Sequence, residues 1–302
     1  MLMLAIEQNT DISKLTTLRV KASAEFFAAP VNLEELVALF KEIKQKNWSW
    51  NILGAGSNTL LSSRPLKGIM ISTNKLDFVT KLGETQYEVG AGLRMPKFCA
   101  LMTRDSLAGT EFMEGIPGSV GGGIVMNAGA HGAEISDILV SVKLLNLASL
   151  ELEERTKNDL DFAYRSSNIN SQTHLLVSAV FDLKADDKDA IRARVQTNNK
   201  ARTTRQPIKS FTCGCTFKNP QAGYGAGQLI DDLGIKGHRV GDFVISNLHG
   251  NFFENHGEGT SSEFCELMKF VQAKAQSEKG MSLKPEVKPM GDFSKEELEI
   301  WS

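Results

Sequence analysis

Gly115-Ile116-Pro117-Gly118-Ser119-Val120-Gly121-Gly122-Gly123, followed closely by Met126-Asn127-Ala128-Gly129-Ala130-His131-Gly132, is the stretch on which the fold turns. Few globular cores need so much glycine. Glycines separated by small apolar residues let backbone press against a large planar or phosphorylated ligand without side-chain obstruction. A pair of tight turns accounts for the same composition. The segment 115–133 is uncharged, but its seven glycines and Pro117 make it loop-rich rather than a membrane helix.

Upstream lies a second glycine loop, Leu53-Gly54-Ala55-Gly56-Ser57-Asn58-Thr59, directly after the strand-like run Trp50–Leu53. Its glycines allow N–H groups to converge on an anion, and Ser57, Asn58 and Thr59 add side-chain bonds. Thr59 stands where the third glycine of a Rossmann fingerprint belongs, and the lysine of a P-loop is missing. Two such loops in one chain favour a dinucleotide cofactor held outside a Rossmann fold. Taken alone, the loop 53–59, the first in chain order, reads equally well as a tight turn.

The flanking chain supplies mixed elements. A helix is predicted over 33–46, capped by Asn32 with Glu35 three residues on, and Leu33, Leu36, Val37, Phe40 and Ile43 form its apolar stripe. A second spans 261–279, with a Thr260/Glu263 capping box, Phe264, Leu267, Met268 and Val271 inward, and Gly280 at its end. A charged helix covers 188–201. Strands are predicted over 50–53, 69–72, 87–89, 138–145 and 175–183, with weaker candidates at 24–29 and 244–245. No strict strand–helix alternation emerges, so the class is α+β. The polar, basic stretch 198–210 reads as a crossing between lobes.

The chain has 302 residues, enough for about two domains. It is 41% hydrophobic and 23% charged, which argues against disorder. Its 34 Lys and Arg are balanced by 36 Asp and Glu, so no nucleic-acid footprint is present. Four cysteines are too sparse for a disulfide scaffold and read as free thiols in a reducing compartment. Residues 1–6 are briefly apolar without a basic leader, so a cytoplasmic protein with no membrane partner is expected.

Six motifs occur in order: 53–61, 115–132, Tyr164-Arg165-Ser166-Ser167, 214–220, 226–231 and Pro285-Glu286-Val287. In this order the sequence resembles the UDP-N-acetylenolpyruvoylglucosamine reductase (MurB) family over about residues 16–291. The resemblance implies a two-lobed FAD-binding domain of the vanillyl-alcohol-oxidase (PCMH) type over 1–190, with lobes of about 1–65 and 66–190. A C-terminal α/β substrate domain over 200–302 follows. It implies an NADPH-dependent flavin oxidoreductase that reduces UDP-N-acetylglucosamine enolpyruvate to UDP-N-acetylmuramate in peptidoglycan synthesis. The sequence does not fix the oligomeric state; a monomer is expected. The short gap between Tyr164-Arg165 and the Cys213-Gly214-Cys215 segment resembles the compact type that lacks an extra Tyr-bearing loop. Non-covalent FAD is expected at Gly54, Ala55, Gly56, Ser57, Asn58, Thr59, Gly115, Pro117, Gly118, Ser119, Gly122, Asn127 and Gly129.

The resemblance, with the chemistry it implies, gives the remaining residues their expected roles; without it Arg165 reads as a surface Arg after a turn, Glu286 as an exposed strand carboxylate and Lys218-Asn219 as a polar turn before Pro220. Reducing an enolpyruvyl group requires hydride at one alkene carbon and a proton at the other, with charge building on the carboxylate. Arg165 carries a permanent charge that forks onto a carboxylate. Glu286 would lie near the substrate carboxylate, where two anions repel, so it is expected to share a proton. Cys215 occupies the place where the family usually has a proton-donating Ser, and a thiol also carries one transferable proton. By itself the Cys213/Cys215 pair also fits a buried structural thiol or a disulfide. Lys218 and Asn219 are the substrate-binding candidates, for phosphate and for phosphate or uridine, with Gln228 and Asn251 weaker. His131 stands where the family often has Tyr and reads as a loop His near the cofactor. No cluster with metal-ligand spacing accompanies the cysteines, and no metal is expected.

Overall fold

The computed structural model describes residues 4–221 and 223–302; positions 1–3 of the apolar opening lie outside the described residues. Contacts divide the chain into two compact units that do not follow sequence order. The first comprises 1–6, 27–55 and 69–202, and the second 7–26, 56–68 and 203–302. The second unit therefore includes two early segments, 7–26 and 56–68, from within the region 1–190 expected to form the FAD-binding domain.

In the first unit, α1 (Leu33–Lys46) starts where expected. Asn32 is extended and its side chain accepts the Glu35 N–H at 2.9 Å. Leu36, Leu39, Phe40 and Ile43 are buried, and Phe40 meets the Trp50 ring edge-on at 5.9 Å. The strand Trp50–Leu53 runs parallel to the chain at Ile69–Ser72. A five-stranded antiparallel sheet follows, in the order Leu152–Thr156, Leu139–Asn146, His174–Asp182, Gln86–Gly90 and Val79–Lys81. Val89, Val142, Ala179 and Phe181 from this sheet share a core with Phe98, Met102, Val120 and Ile124.

Those last four side chains come from two helices that periodicity did not reveal, α2 (Met95–Arg104) and α3 (Val120–Val125). The glycine run read as turns is thus partly helical. Three glycines in six residues cost helix stability, about 1 kcal/mol each relative to Ala. Packing explains their presence. A Cβ on Gly121 would lie 2.8 Å from Ala91 Cβ, and one on Gly123 would lie 2.6 Å from Ile135 Cδ1. The helix sits this close to its neighbours because it has no side chains there.

The charged helix α4 (Lys188–Arg205) continues past residue 201. The stretch 198–210, expected as a crossing between lobes, does contain the point at which the chain passes from the first unit to the second, and it is helical as far as Arg205. No breaker intervenes before Pro207, which disfavours helix in the residue before it.

In the second unit, α5 (Ala226–Asp232), α6 (Ser261–Lys279) and α7 (Lys295–Leu298) accompany a small antiparallel sheet in the order Arg239–Val240, Phe243–Ile245 and Phe253–Asn255. The Thr260/Glu263 capping box is formed, and Gly280 ends α6 at φ 64°. Phe264, Leu267, Met268 and Val271 are buried as expected. Phe243, Phe253 and Phe264 build an aromatic core, with Phe243 edge-on to Phe264 at 5.0 Å. Thr59–Leu61 pairs in parallel with Lys288–Met290, joining the first glycine loop to the segment after Glu286. Among the described residues, no helix is long and apolar enough to cross a membrane.

Candidate active site

The first unit carries a cradle in which the two glycine loops meet. Ser119 caps α3, and its Oγ accepts N–H groups from Gly122 and Ala55, each at 3.4 Å. A Cβ on Gly54 would fall 2.6 Å from the same oxygen. Gly54 is therefore required for the close approach. Pro117 and Gly118 are held from behind: their carbonyls accept Arg94 Nη2 at 2.7 Å and the Met95 N–H at 3.0 Å. Burial holds the Arg94 guanidinium below its usual range. Gly115 lies against Arg202, whose Cδ would be 2.8 Å from an added Cβ.

Asn127 is fully buried and has a left-handed φ of 41°. Its Oδ1 accepts the Ser136 N–H at 3.2 Å, so the side chain shapes the loop from inside. Gly129 is hemmed in by Ala133 O, 2.7 Å from a Cβ built there, as the pairing of Gly129–Ala130 with Ala133–Glu134 demands. Its carbonyl accepts Arg165 Nη2 at 2.9 Å. Arg165 has φ 55°, inside a turn closed by the Ala163–Ser166 bridge, and its guanidinium stands 5.1 Å from the Tyr164 ring centroid. A non-glycine residue held in this region signals a conformation imposed by its surroundings. His131 is exposed at φ 56°.

The second unit carries the other chemical positions. The rest of the first loop belongs here: Gly56 at φ 63°, where a Cβ would meet Leu15 O, then Ser57, Asn58 and Thr59. Cys213 and Cys215 flank Gly214, which turns at φ 76°. Both are free thiols, which removes the disulfide reading. Cys213 is buried, and burial pushes its thiol up to about 12. Cys215 is half-buried.

Glu286 is brought to the same place through the backbone. Its N–H donates to Thr216 O at 2.8 Å, Pro285 bridges to Phe217, and the Lys218 N–H donates to Lys284 O at 2.8 Å. The expected trio is thus divided, with Arg165 in the first unit and Cys215 and Glu286 in the second.

Two substrate candidates have structural duties. Asn219 Oδ1 accepts the Ala226 N–H at 3.1 Å and so caps α5, whose own N-cap, Gly225, has no side chain. Asn251 is buried and spends its amide on Phe217, accepting its N–H at 2.9 Å and donating to its carbonyl at 2.8 Å. Gln228 is exposed. Lys288 was not found from sequence. Burial and the charge of Lys218 hold its ammonium below the usual range, against the attraction of Glu286. Only its place two residues after Glu286 marked it.

Two family models match successive parts of the chain. Residues 24–150 match a family model described as FAD binding domain, and 206–290 match the C-terminal domain of UDP-N-acetylenolpyruvoylglucosamine reductase. A reductase of that name from Halalkalibacterium halodurans is 36% identical over 288 residues, covering 95% of each chain. The chain belongs to the UDP-N-acetylenolpyruvoylglucosamine reductase family. A relative of the same name from Prochlorococcus marinus is 34% identical, covering 95% of this chain and 98% of its own. The crystal structure of the reductase from Thermus caldophilus aligns with TM-score 0.81 and 31% identity, over 95% of this chain and 99% of that one. As a member of this reductase family with an FAD binding domain, the protein is a flavin oxidoreductase. The residues present fit the flavin cofactor. The Gly54/Ser119 cradle brings the glycine backbone of both loops together with no side chain on Gly54 between them, the kind of bare surface a large planar or phosphorylated group packs against.

Proposed function

We propose that this protein reduces UDP-N-acetylglucosamine enolpyruvate to UDP-N-acetylmuramate, with NADPH as reductant, as a monomer in the cytoplasm. Bound FAD, held without a covalent link, would supply the hydride. The chain's own residues then have three tasks.

Cys215 gives its proton to the alkene carbon that does not receive hydride: the S–H bond breaks, a C–H bond forms, and solvent reprotonates the thiolate. Arg165 and Glu286 stabilise the charge that builds on the substrate carboxylate, Arg165 by its fixed charge and Glu286 by sharing a proton. Lys218, Lys288 and Asn219 serve the diphosphate end, where two neighbouring ammonium groups suit a multiply charged anion. Gly54, Ala55, Gly56, Ser57, Asn58, Thr59, Gly115, Pro117, Gly118, Ser119, Gly122, Asn127 and Gly129 form the flavin side. The chain is read as the compact type: only His174–Asp182, Lys184–Ala185 and α4 are regular elements between Arg165 and Cys215.

The observation that carries the reading is the register joining Cys215 to Glu286. The Glu286 N–H bonds the carbonyl of Thr216, the residue after Cys215, in a family whose reaction needs an acid beside a charge-stabilising group. An anaerobic two-step experiment tests it. NADPH should bleach the bound flavin, and UDP-N-acetylglucosamine enolpyruvate should restore the visible band. Bleaching without substrate-dependent return would refute the substrate assignment.

A further inference from the structure

The Glu286-Val287 segment is clamped by more contacts than a three-residue edge pairing needs. The Glu286 N–H donates to Thr216 O at 2.8 Å. The Glu286 carbonyl accepts Asn58 Nδ2 at 3.1 Å. The Lys288 N–H donates to Asn58 O at 3.0 Å. The Val287 N–H also donates to Thr216 O, at 3.4 Å. A further bond comes from a side chain with no part in the reaction: Trp301 Nε1 donates to the Val287 carbonyl at 2.7 Å.

Trp301 is itself held in place. It lies in the short turn Glu299–Trp301 and packs edge-on against Phe293 at 6.0 Å. Gln272 of α6 donates through one nitrogen to Leu283 O at 2.8 Å and to Ile300 O at 3.2 Å. One side chain thus ties the segment leading into Glu286 to the turn that carries Trp301. Val287 is fully buried, so its carbonyl would be poorly served by water if the indole donor were lost.

We propose that Trp301 is a positioning residue for Glu286. The indole N–H fixes the peptide group after Val287, and this holds the Glu286 backbone in the orientation that presents its carboxyl to the substrate. The inference rests on the role proposed above for Glu286. Its physical basis is the steep dependence of rate on placement, where a shift of about 1 Å costs on the order of 100-fold.

The test uses the FAD-loaded enzyme and Trp301→Phe, which keeps an aromatic ring and removes the donor. NADPH reduction of the flavin should stay within about twofold of wild type, while substrate-dependent reoxidation should fall about tenfold. In a Glu286→Gln background the same substitution should cost less than about twofold, because residues acting through one another are non-additive. Amide hydrogen exchange in a peptide covering 282–290 should rise in Trp301→Phe, a readout independent of turnover. An equal fold-loss in both backgrounds would reduce Trp301 to a general structural role and overturn the proposal. Wild-type reoxidation or unchanged exchange in Trp301→Phe would overturn it as well. If Glu286→Gln alone reoxidises at the wild-type rate, the catalytic reading of Glu286 fails first and the proposal falls with it.

Discussion

The cradle around Ser119 and the clamped segment around Glu286 are built by opposite means. In the cradle, side chains are removed so that backbone comes close: Gly54, Gly121 and Gly123 all stand where a Cβ would collide. In the clamped segment, side chains are added so that backbone stays put: Asn58, Asn251 and Trp301 each bond main-chain groups there or beside it. The first arrangement is vulnerable to any gained atom, the second to any lost donor. On the function proposed above, the first region would serve a cofactor that stays bound and needs a closely fitting wall. A substrate protonated at one carbon needs two groups held in fixed register.

The sharpest way to break this contrast is at Cys215. Cys215→Ala should slow substrate-dependent flavin reoxidation by about 10²–10⁴-fold while leaving NADPH reduction intact, and Cys215→Ser should remain active. Stopped-flow spectroscopy of the two half-reactions reads both, and full turnover by Cys215→Ala would remove the proton-donor role. Next in size is Asn251→Ala, which strips two hydrogen bonds from buried Phe217 backbone. It should destabilise the protein by about 2–4 kcal/mol in a denaturant titration. Gly54→Ala tests the other region. An added methyl 2.6 Å from Ser119 Oγ should cost about 1–3 kcal/mol and lower FAD retention on gel filtration. Retention equal to wild type would show that the cradle tolerates gained atoms after all.

The smallest effect is one of pH. Burial raises the Glu297 carboxyl, but bonds from Ser262, the Ser294 backbone and Arg64 outweigh it and draw the group down to about 2. A depressed carboxyl stabilises the fold above its ordinary value of 4.5, and that contribution is lost as pH falls toward about 2. The Tm difference between wild type and Glu297→Gln should therefore shrink across that window and be constant above it.

The sequence was most legible where a signal and its effect lie within four residues. Asn32 and Glu35, Thr260 and Glu263, and Gly280 mark helix ends through local bonds, and each marks the end observed. Strand Trp50–Leu53 was readable for a similar reason, as an apolar run stopped by glycine. Helix α3 was not, because its glycines are poor helix formers whose reason is the proximity of Ala91, Met95 and Ile135. Asn219 was singled out as a substrate candidate by its place just after Cys215, and its capping bond to α5 was not visible in that local order. Its partner, the Ala226 N–H, is seven residues away across a turn.

By itself the sequence determined the class, the capped helices, the two glycine loops and the ordered motifs of the reductase family. These depend on residue identity and on spacing along the chain. Only the tertiary structure decided that both loops meet at Ser119, that segments 7–26 and 56–68 fold with 203–302, and that Lys288 shares the field of Lys218. Each of these joins residues far apart in sequence. Burial, close approach and electrostatic coupling act through space, and one-dimensional order carries no measure of that distance.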